Sequence, residues 1–208
     1  MVLYNLPWHS SLQWKTDALK YRAMNAYIAM SRDRDTGSVF PDPNDGRPVV
    51  DYTISDFDRA HTLKGLVSLA KLCYVQGAVD IWPAVPGVPT FKRARPSSSS
   101  ATQPVDGTND PDFQSWLALL SSANNAPPHT QHASAHQMGT CRMSSSPSDG
   151  VVDSRGRVWG TEGLYIADAS VFPSASGVNP MITVMAVADW IAGGIVKDDA
   201  AVHATAVA

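Results

Sequence analysis

The sequence feature that most limits the possible folds lies near the end of the chain. There, a short apolar run ends at an aspartate, and residues typical of a helix start follow it. Residues 164–167 are apolar and precede Asp168, and after a loop of small residues Asn179 and Pro180 open a long apolar stretch. Asparagine is a preferred N-cap, and proline is favoured at the first helical position. We therefore predict a buried strand ending at Asp168, then a loop, then a helix over residues 178–192.

A second informative segment lies upstream of this unit and contains a histidine. It reads Ala135-His136-Gln137-Met138-Gly139-Thr140-Cys141-Arg142-Met143. An imidazole titrates near neutral pH, so a histidine is suited to accept a proton from a substrate hydroxyl. Gly139 lacks a Cβ and would let the backbone pass close to a cofactor. His136 is therefore a candidate general base. The alternative is a buried, hydrogen-bonded histidine with no chemical role.

The two segments together resemble the C-terminal signature of the glucose-methanol-choline (GMC) family of flavin-dependent alcohol oxidoreductases. Within that family the resemblance is greatest to long-chain fatty alcohol oxidases, and residues 55–61 share it. One departure is Ser144, where fatty alcohol oxidases usually have glycine. The resemblance implies an α/β (α+β) fold. In this partial GMC oxidoreductase fold, a substrate-domain segment with a hairpin and helices precedes the strand and helix that return to the FAD-binding domain.

The resemblance also implies roles for the candidate residues. His136 would accept the hydroxyl proton of an alcohol while a hydride moves to flavin N5. Asn179 would orient that hydroxyl through its amide, which can donate and accept hydrogen bonds. Contact with the cofactor FAD is implied for the strand end and the helix start, that is, for Asp168, Ala169, Asn179, Pro180 and Met181. The positive end of the helix would stabilise negative charge on reduced flavin.

By this resemblance the chain takes part in the FAD-dependent oxidation of a primary, long-chain alcohol to an aldehyde, with molecular oxygen as acceptor. Two alternatives remain open: an FAD alcohol dehydrogenase with another acceptor, and a truncated, non-catalytic fragment. The second alternative arises because we find no G-x-G-x-x-G motif of the kind that holds the ADP half of FAD in a βαβ unit. We therefore expect an N-terminal FAD-binding portion, or a complementing chain, as a partner besides the alcohol and oxygen.

A metal site is a rival interpretation of the histidine segment. His129, His132, His136 and Cys141 are ligand-type residues at short spacing. That spacing matches none of the standard zinc patterns, so we expect no metal site.

The formal net charge of −3 does not indicate the basic surface that binds nucleic acid, and we expect no nucleic-acid partner.

The order of patterns divides the chain into three parts. Residues 1–128 form a substrate-domain-like segment with a mobile loop over 93–110, residues 129–196 form the catalytic and FAD-contacting segment, and residues 197–208 form a frayed tail. Within the first part we predict the following elements: a helix inside 11–30, a β-hairpin over 37–54, a helix from Ser55 to Gly77, extended chain over 78–91 and a short helix over 111–120.

Targeting signals are weak in this sequence. The first residues lack the basic region and apolar run of a signal peptide, and no window reaches about eighteen uninterrupted apolar residues. The two cysteines, Cys73 and Cys141, form no CxxC motif. We expect an intracellular chain, with membrane association implied only by the resemblance.

Overall fold

The computed structural model describes residues 6, 8, 10–94 and 108–206, so residues 95–107 of the predicted 93–110 loop lie outside the described residues. The chain forms two compact units. The first unit contains Met1–Ser31 and Ile54–His132, and the second contains Arg32–Thr53 and Ala133–Ala208. The division into domains after residue 128 stays a prediction. The assignment of residues 32–53 to the second unit was not expected.

Three α-helices form the first unit. They are α1 (Ser11–Ala18), α2 (Asp56–Val75) and α3 (Pro111–Ser121), and a single 3-10 turn, Tyr21–Ala23, follows α1. Side-chain caps fix the starts of α2 and α3: Ser55 Oγ accepts from the Asp58 N–H, and Asp110 accepts from the Asp112 and Phe113 N–H groups. The helices predicted from Ser55 and over residues 111–120 are confirmed as α2 and α3.

The first helix is shorter than its apolar spacing suggested. The helix ends at Ala18, and residues 24–30 have no regular structure. Leu12 and Leu19 are largely exposed, at 77% and 84%. Helical propensity without a buried face does not extend a helix far, because most helical stability in proteins comes from packing.

An aromatic cluster forms the core of the first unit. Tyr74 of α2 stacks on Phe113 of α3 with 4.0 Å between ring centroids, and Phe91 meets Phe113 edge-on at 5.1 Å. Trp116 completes the cluster and donates from Nε1 to the Pro89 carbonyl at 2.6 Å. The strands β3 (Asp80–Ile81) and β4 (Phe91–Lys92) pair antiparallel and bring Phe91 to this cluster.

A β-hairpin opens the second unit, as predicted. Its strands are β1 (Ser38–Pro41) and β2 (Pro48–Asp51), paired antiparallel with Ser38 opposite Asp51 and Pro41 opposite Pro48. A turn at residues 42–47 closes the hairpin, in which the Gly46 N–H donates to the Asp42 carbonyl at 2.9 Å. Gly46 has a φ of 72°, a conformation that favours glycine.

The predicted buried strand over 164–168 is absent as a strand. Only Tyr165 of this segment forms a β-bridge, with Arg157, and Leu164 is 51% exposed. A strand needs a partner along its length, and the described residues offer this segment one isolated bridge. The prediction was wrong because an apolar run indicates that a segment tends to be buried. It does not indicate whether a neighbouring strand is present to pair with it.

The last helix, α4 (Met181–Ala206), begins later and ends later than predicted. The prediction placed it over 178–192 and left residues 197–208 as a frayed tail. The backbone stays helical through Ala206, so the frayed-tail prediction was wrong for residues 197–206. Gly193 and Gly194 lie inside α4 with open space around them. Glycine in a helix interior costs about 1 kcal/mol, which is too little to stop a helix of this length.

A small core of aliphatic and aromatic side chains organises the second unit. Val152, Val171, Phe172 and Ile191 are buried together, and Ile191 brings α4 to the loop segments. Among the helices of the described residues, none is long and apolar enough to cross a membrane.

Candidate functional site

Backbone hydrogen bonds hold the histidine segment along the segment that follows Asp168. The N–H groups of Gly139, Cys141 and Met143 donate to the carbonyls of Ala169, Ser170 and Val171, at 3.2, 2.9 and 2.8 Å in that order. Ala169–Val171 forms a 3-10 turn. The structure thus brings together the two sequence segments that carry the candidate residues, in a fixed register. We call this set of three hydrogen bonds the 139–143 ladder.

Gly139 allows the ladder to form. Its φ is +84°, and a Cβ built at this position would lie 3.2 Å from the Phe172 carbonyl oxygen. An L side chain rarely adopts this φ, so any other residue would be strained here whatever space it found. The sequence singled out Gly139 for close approach to a cofactor, and its observed role includes close approach to the chain itself.

His136 lies three residues before the ladder, in irregular backbone. The residue is half-buried, and its backbone N–H lies 3.5 Å from Ser134 Oγ. Its imidazole makes no hydrogen bond to any other residue in the described part of the chain. The imidazole is therefore available for a hydrogen bond to a bound molecule.

Asp168 caps the 3-10 turn that receives the ladder. Its carboxylate accepts from the Ser170 N–H at 2.7 Å. The Ser170 side chain and backbone hydrogen bonds lower the pKa of Asp168, which burial alone would raise. The residue is exposed, and Ala169 beside it is half-buried. Asp168 is thus an ionised carboxylate at neutral pH, directly beside the histidine segment.

Asn179, Pro180 and Met181 occupy the start of α4. Pro180 is buried, while Asn179 and Met181 are exposed. The first hydrogen bond of α4 runs from the Val184 N–H to the Pro180 carbonyl at 2.8 Å. The helix therefore begins at Met181, three residues later than the predicted start at residue 178, and Asn179 precedes its cap position. The N–H groups of residues 181–183 precede that bond and form the positive end of the helix.

The structure does not join His136 to Asn179 directly. Within the residues that the structure describes, no hydrogen bond links their side chains. A surface cleft of about 450 Å³ lies instead at the far end of the ladder, lined by Met143, Ser144, Ser145, Asp153, Ser154 and Trp159. Ser144, the departure from the fatty alcohol oxidase pattern, lies in that cleft and accepts from Trp159 Nε1 at 3.3 Å.

A carboxylate inside the second unit supports the turn at residues 153–157. Asp153 accepts from the Arg155 and Arg157 N–H groups at 2.8 and 3.0 Å, and from the Arg157 guanidinium at 2.7 Å. Burial raises the pKa of Asp153, but these hydrogen bonds and the Arg157 charge outweigh it and hold the pKa below the usual value. The carboxylate has a structural role, because its acceptor positions are already filled.

Sequence reasoning missed Arg32, which contacts the loop before Asn179. Arg32 Nε donates to the Ala175 carbonyl at 3.0 Å, and an Nη donates to Ser174 Oγ at 3.2 Å. Arg32 is far from this loop in sequence, and no local motif marks it. No signal in a single sequence could have found the contact.

The rival metal interpretation gains no support from the geometry. In the ranges 10–94 and 108–206, no group of three or more His, Cys, Asp or Glu side chains is placed to hold a metal ion. His132 instead meets the Asn125 carbonyl through Nε2 at 2.8 Å.

Comparison with known proteins gives consistent matches. A family model described as GMC oxidoreductase matches residues 33–188. Two long-chain-alcohol oxidases of Arabidopsis thaliana, FAO4A and FAO3, are each 32% identical to this chain over 92% of its length. The matches cover 24% of each of these proteins, so the chain spans about a quarter of the length of the curated relatives it matches.

Two further matches are shorter or more distant. A cholesterol oxidase of Acinetobacter baumannii is 46% identical over 55 residues, which is 26% of this chain and 10% of that protein. The crystal structure of pyridoxine 4-oxidase from Mesorbium loti superimposes with a TM-score of 0.47 at 22% identity, covering 79% of this chain and 28% of that one. From the family match over residues 33–188, this chain belongs to the GMC oxidoreductase family and corresponds to a C-terminal region of that fold.

Proposed function

We propose that this chain supplies the alcohol-facing and flavin-facing residues of an FAD-dependent oxidase of long-chain primary alcohols. The observation that carries the proposal is the 139–143 ladder, which fixes the His136 segment against the turn that Asp168 caps. The similarity to two long-chain-alcohol oxidases supports the substrate class. A GMC family member is an oxidoreductase, and members of this family are generally FAD-dependent.

The residues present fit the flavin half of FAD. The N–H groups at the start of α4 are donors for an anionic or carbonyl group, and Met181 and Ile182 beside them are 67% and 70% exposed. Gly139 carries no Cβ, so its backbone lies close to the Phe172 carbonyl at the end of the 3-10 turn. We propose that Asp168, Ala169, Asn179, Pro180 and Met181 form the contact surface for this cofactor.

When bound, FAD supplies the hydride acceptor and passes the electrons to molecular oxygen. We assign His136 the role of general base, because removing the hydroxyl proton makes the carbinol carbon a better hydride donor. The proton goes to an imidazole nitrogen, and the substrate leaves as the aldehyde. Asn179 orients the hydroxyl, since its amide can donate to the oxygen without taking the proton. The positive end of α4 stabilises negative charge that develops beside it.

The acceptor distinguishes an oxidase from a dehydrogenase. Similarity to named oxidases favours oxygen, and the alternative is an FAD alcohol dehydrogenase that reduces another acceptor. Oxygen uptake and peroxide formation during alcohol turnover separate these two reactions. Activity that requires an added electron acceptor and consumes no oxygen would select the dehydrogenase.

An exposed apolar surface on α4 supports the need for a partner. Met181, Ile182, Met185 and Trp190 are 62–70% exposed on this helix. Large exposed apolar side chains grouped on one element mark interaction surfaces. We propose that the N-terminal FAD-binding portion of a GMC protein, in the same chain or in a complementing one, covers them. The alternative is a non-catalytic fragment.

The test compares His136→Gln with His129→Gln, an exposed histidine in the first unit. Both proteins are produced together with an FAD-binding portion of a GMC oxidase, and reduction of flavin by dodecanol is followed anaerobically at 450 nm. Loss of a general base lowers the rate about 10²–10⁴-fold, so His136→Gln should fall by that factor and His129→Gln should not change. Equal rates in both variants would remove His136 from the reaction.

The substrate class is tested with the same preparation. Ethanol, benzyl alcohol, dodecanol and cholesterol are compared by kcat/KM, cholesterol being included because of the short match to a cholesterol oxidase. Each buried CH₂ contributes about 0.8 kcal/mol, so the long-chain proposal expects kcat/KM to rise with chain length. A preference for cholesterol or benzyl alcohol would overturn it.

A further inference from the structure

Arg32 makes two hydrogen bonds from different nitrogens to the loop that precedes Asn179. Its Nε donates to the Ala175 carbonyl at 3.0 Å and its Nη donates to Ser174 Oγ at 3.2 Å. A guanidinium is a planar fork of donors, so two simultaneous bonds fix both the position and the orientation of the loop. Both partners belong to the second unit, although they are far apart in sequence.

The loop is shaped to receive this arginine. Gly177 has a φ of +68°, and a Cβ at this position would lie 3.0 Å from Arg32 Cβ. Ser176 Oγ donates to the Val178 carbonyl at 2.6 Å and closes the loop on itself. The arginine stem thus packs directly against the backbone at Gly177, while its head holds Ser174 and Ala175.

Asn179 lies between two fixed points. On one side is the loop held by Arg32, and on the other is Pro180, which is buried at the start of α4. Asn179 itself is exposed and has no side-chain hydrogen bond within the described residues. The position of its Cα, and so the region that its amide can reach, is therefore set by the backbone on either side of it.

We propose that Arg32 is a positioning residue for Asn179. It holds residues 174–177 in one conformation and so keeps the Asn179 backbone, from which the amide extends, in one position. That Arg32 matters for alcohol binding rests on the proposed function. That Arg32 fixes the loop rests on its contacts alone. The sequence places Arg32 before the hairpin, so residues 32–53 would contribute to the alcohol site through this contact.

The experiment uses ¹⁵N NMR of the whole 208-residue chain. In the native chain, the Arg32 Nε–H should give a resolved signal at mildly acid pH that exchanges more slowly than the Nε–H of Arg22. Arg22 is the internal reference because it is exposed and its guanidinium makes no hydrogen bond within the described residues. Equal exchange of the two Nε–H groups would overturn the inference without any variant.

The variant arm uses Arg32→Gln against Arg47→Gln. Order parameters of the amides at residues 174–179 should fall from about 0.85 to below about 0.6 in Arg32→Gln and stay unchanged in Arg47→Gln. The Asn179 side-chain NH₂ signal, identified by its loss in Asn179→Asp, should shift and sharpen only in Arg32→Gln. An unchanged loop and unchanged Asn179 signal in Arg32→Gln would overturn the inference.

Two further measurements separate the possible failures. Ser174→Ala removes one of the two acceptors of Arg32 with little structural change, so it should mobilise the loop less than Arg32→Gln does. This variant keeps the inference testable if Arg32→Gln folds poorly. In the flavin-reduction assay, Asn179→Ala without effect on the rate would overturn the proposed role of Asn179. The NMR result would then still decide whether Arg32 fixes the loop.

Discussion

The two units of this chain are stabilised in different ways. In the first unit, regular helices bring aromatic side chains together, and Phe113 is completely buried between Tyr74 and Phe91. In the second unit, irregular segments are joined by backbone hydrogen bonds such as the 139–143 ladder, around a smaller apolar core. The first unit should therefore be sensitive to side-chain volume, and the second to backbone conformation. The candidate site lies in the second unit.

The largest effect should come from removing the central aromatic ring of the first unit. Phe113→Ala leaves a cavity between three aromatic rings and should lower the free energy of unfolding by about 3–5 kcal/mol. Urea denaturation followed by circular dichroism measures it. Leu119→Ala, on the same helix but 55% exposed, is the control and should change stability by less than about 1 kcal/mol. Similar losses in the two variants would mean that the aromatic cluster is not the stabilising core.

The matching change in the second unit adds one methyl group to the backbone. Gly156 has a φ of +76°, and a Cβ there would lie 2.7 Å from the Ile166 carbonyl oxygen and 2.8 Å from Ile191 Cδ1. Gly156→Ala should cost about 3 kcal/mol through backbone strain and overpacking. Amide exchange of peptides from residues 139–143 measures the local loss.

Gly160→Ala is the control for that prediction. Gly160 has a φ of +73° with open space around the Cβ position, so only the conformational cost of about 1 kcal/mol remains. The difference between the two glycine variants isolates the steric term. Equal costs would contradict the close approach at Gly156.

A smaller effect should come from the carboxylate of the second unit, and it depends on pH. The folded pKa of Asp153 lies below the usual value, so its stabilising contribution is present above about pH 4 and is lost as the pH falls through the folded pKa. Asp153→Asn should cost about 1 kcal/mol at pH 7 and should destabilise less, relative to the native chain, as the pH falls. Thermal melts between pH 7 and pH 2 measure this. Asp198→Asn, which alters an exposed ion pair with Arg155, should show no such dependence.

An effect of the same size should come from one hydroxyl in the first unit. Tyr74 donates to Asp110 at 2.7 Å, which is the main reason that the pKa of Asp110 is lowered. Tyr74→Phe should cost about 1 kcal/mol and raise the Asp110 pKa toward its usual value. A ¹³C NMR titration of the carboxyl group follows the shift. Tyr27→Phe, at an exposed position, is the control, and an unmoved Asp110 pKa in Tyr74→Phe would contradict the assignment.

Regular elements with capping signals could be predicted from the sequence, and irregular ones could not. Ser55 marks the start of α2, and the turn around Gly46 marks the hairpin. These signals act over a few residues, where local chemistry decides the conformation. The prediction of a strand over residues 164–168 was wrong, because strand pairing depends on segments that are distant in sequence.

The candidate site shows the same limit. His136, Asp168 and Asn179 were found as parts of short sequence motifs, and the sequence placed the two motifs together. Neither the register of the 139–143 ladder nor the Arg32 contact has a local signature, because both depend on which carbonyl meets which donor after folding. The motifs identify the candidates, and the irregular backbone determines where they point.

The 139–143 ladder has a consequence for how the chain tolerates changes in length. The ladder joins the residues just before Ser144 to those just after Asp168, so it holds both ends of the segment between these two residues. The ladder therefore does not depend on the length of that segment. Within this stretch, the turn at Gly160 and Gly163 is exposed, and both glycines have open space around them. Loops of this kind accept insertions and new chain ends. A circular permutant opened at residues 161–162 should therefore keep the histidine segment in its register, which makes this turn the natural position for a label or a split-protein junction.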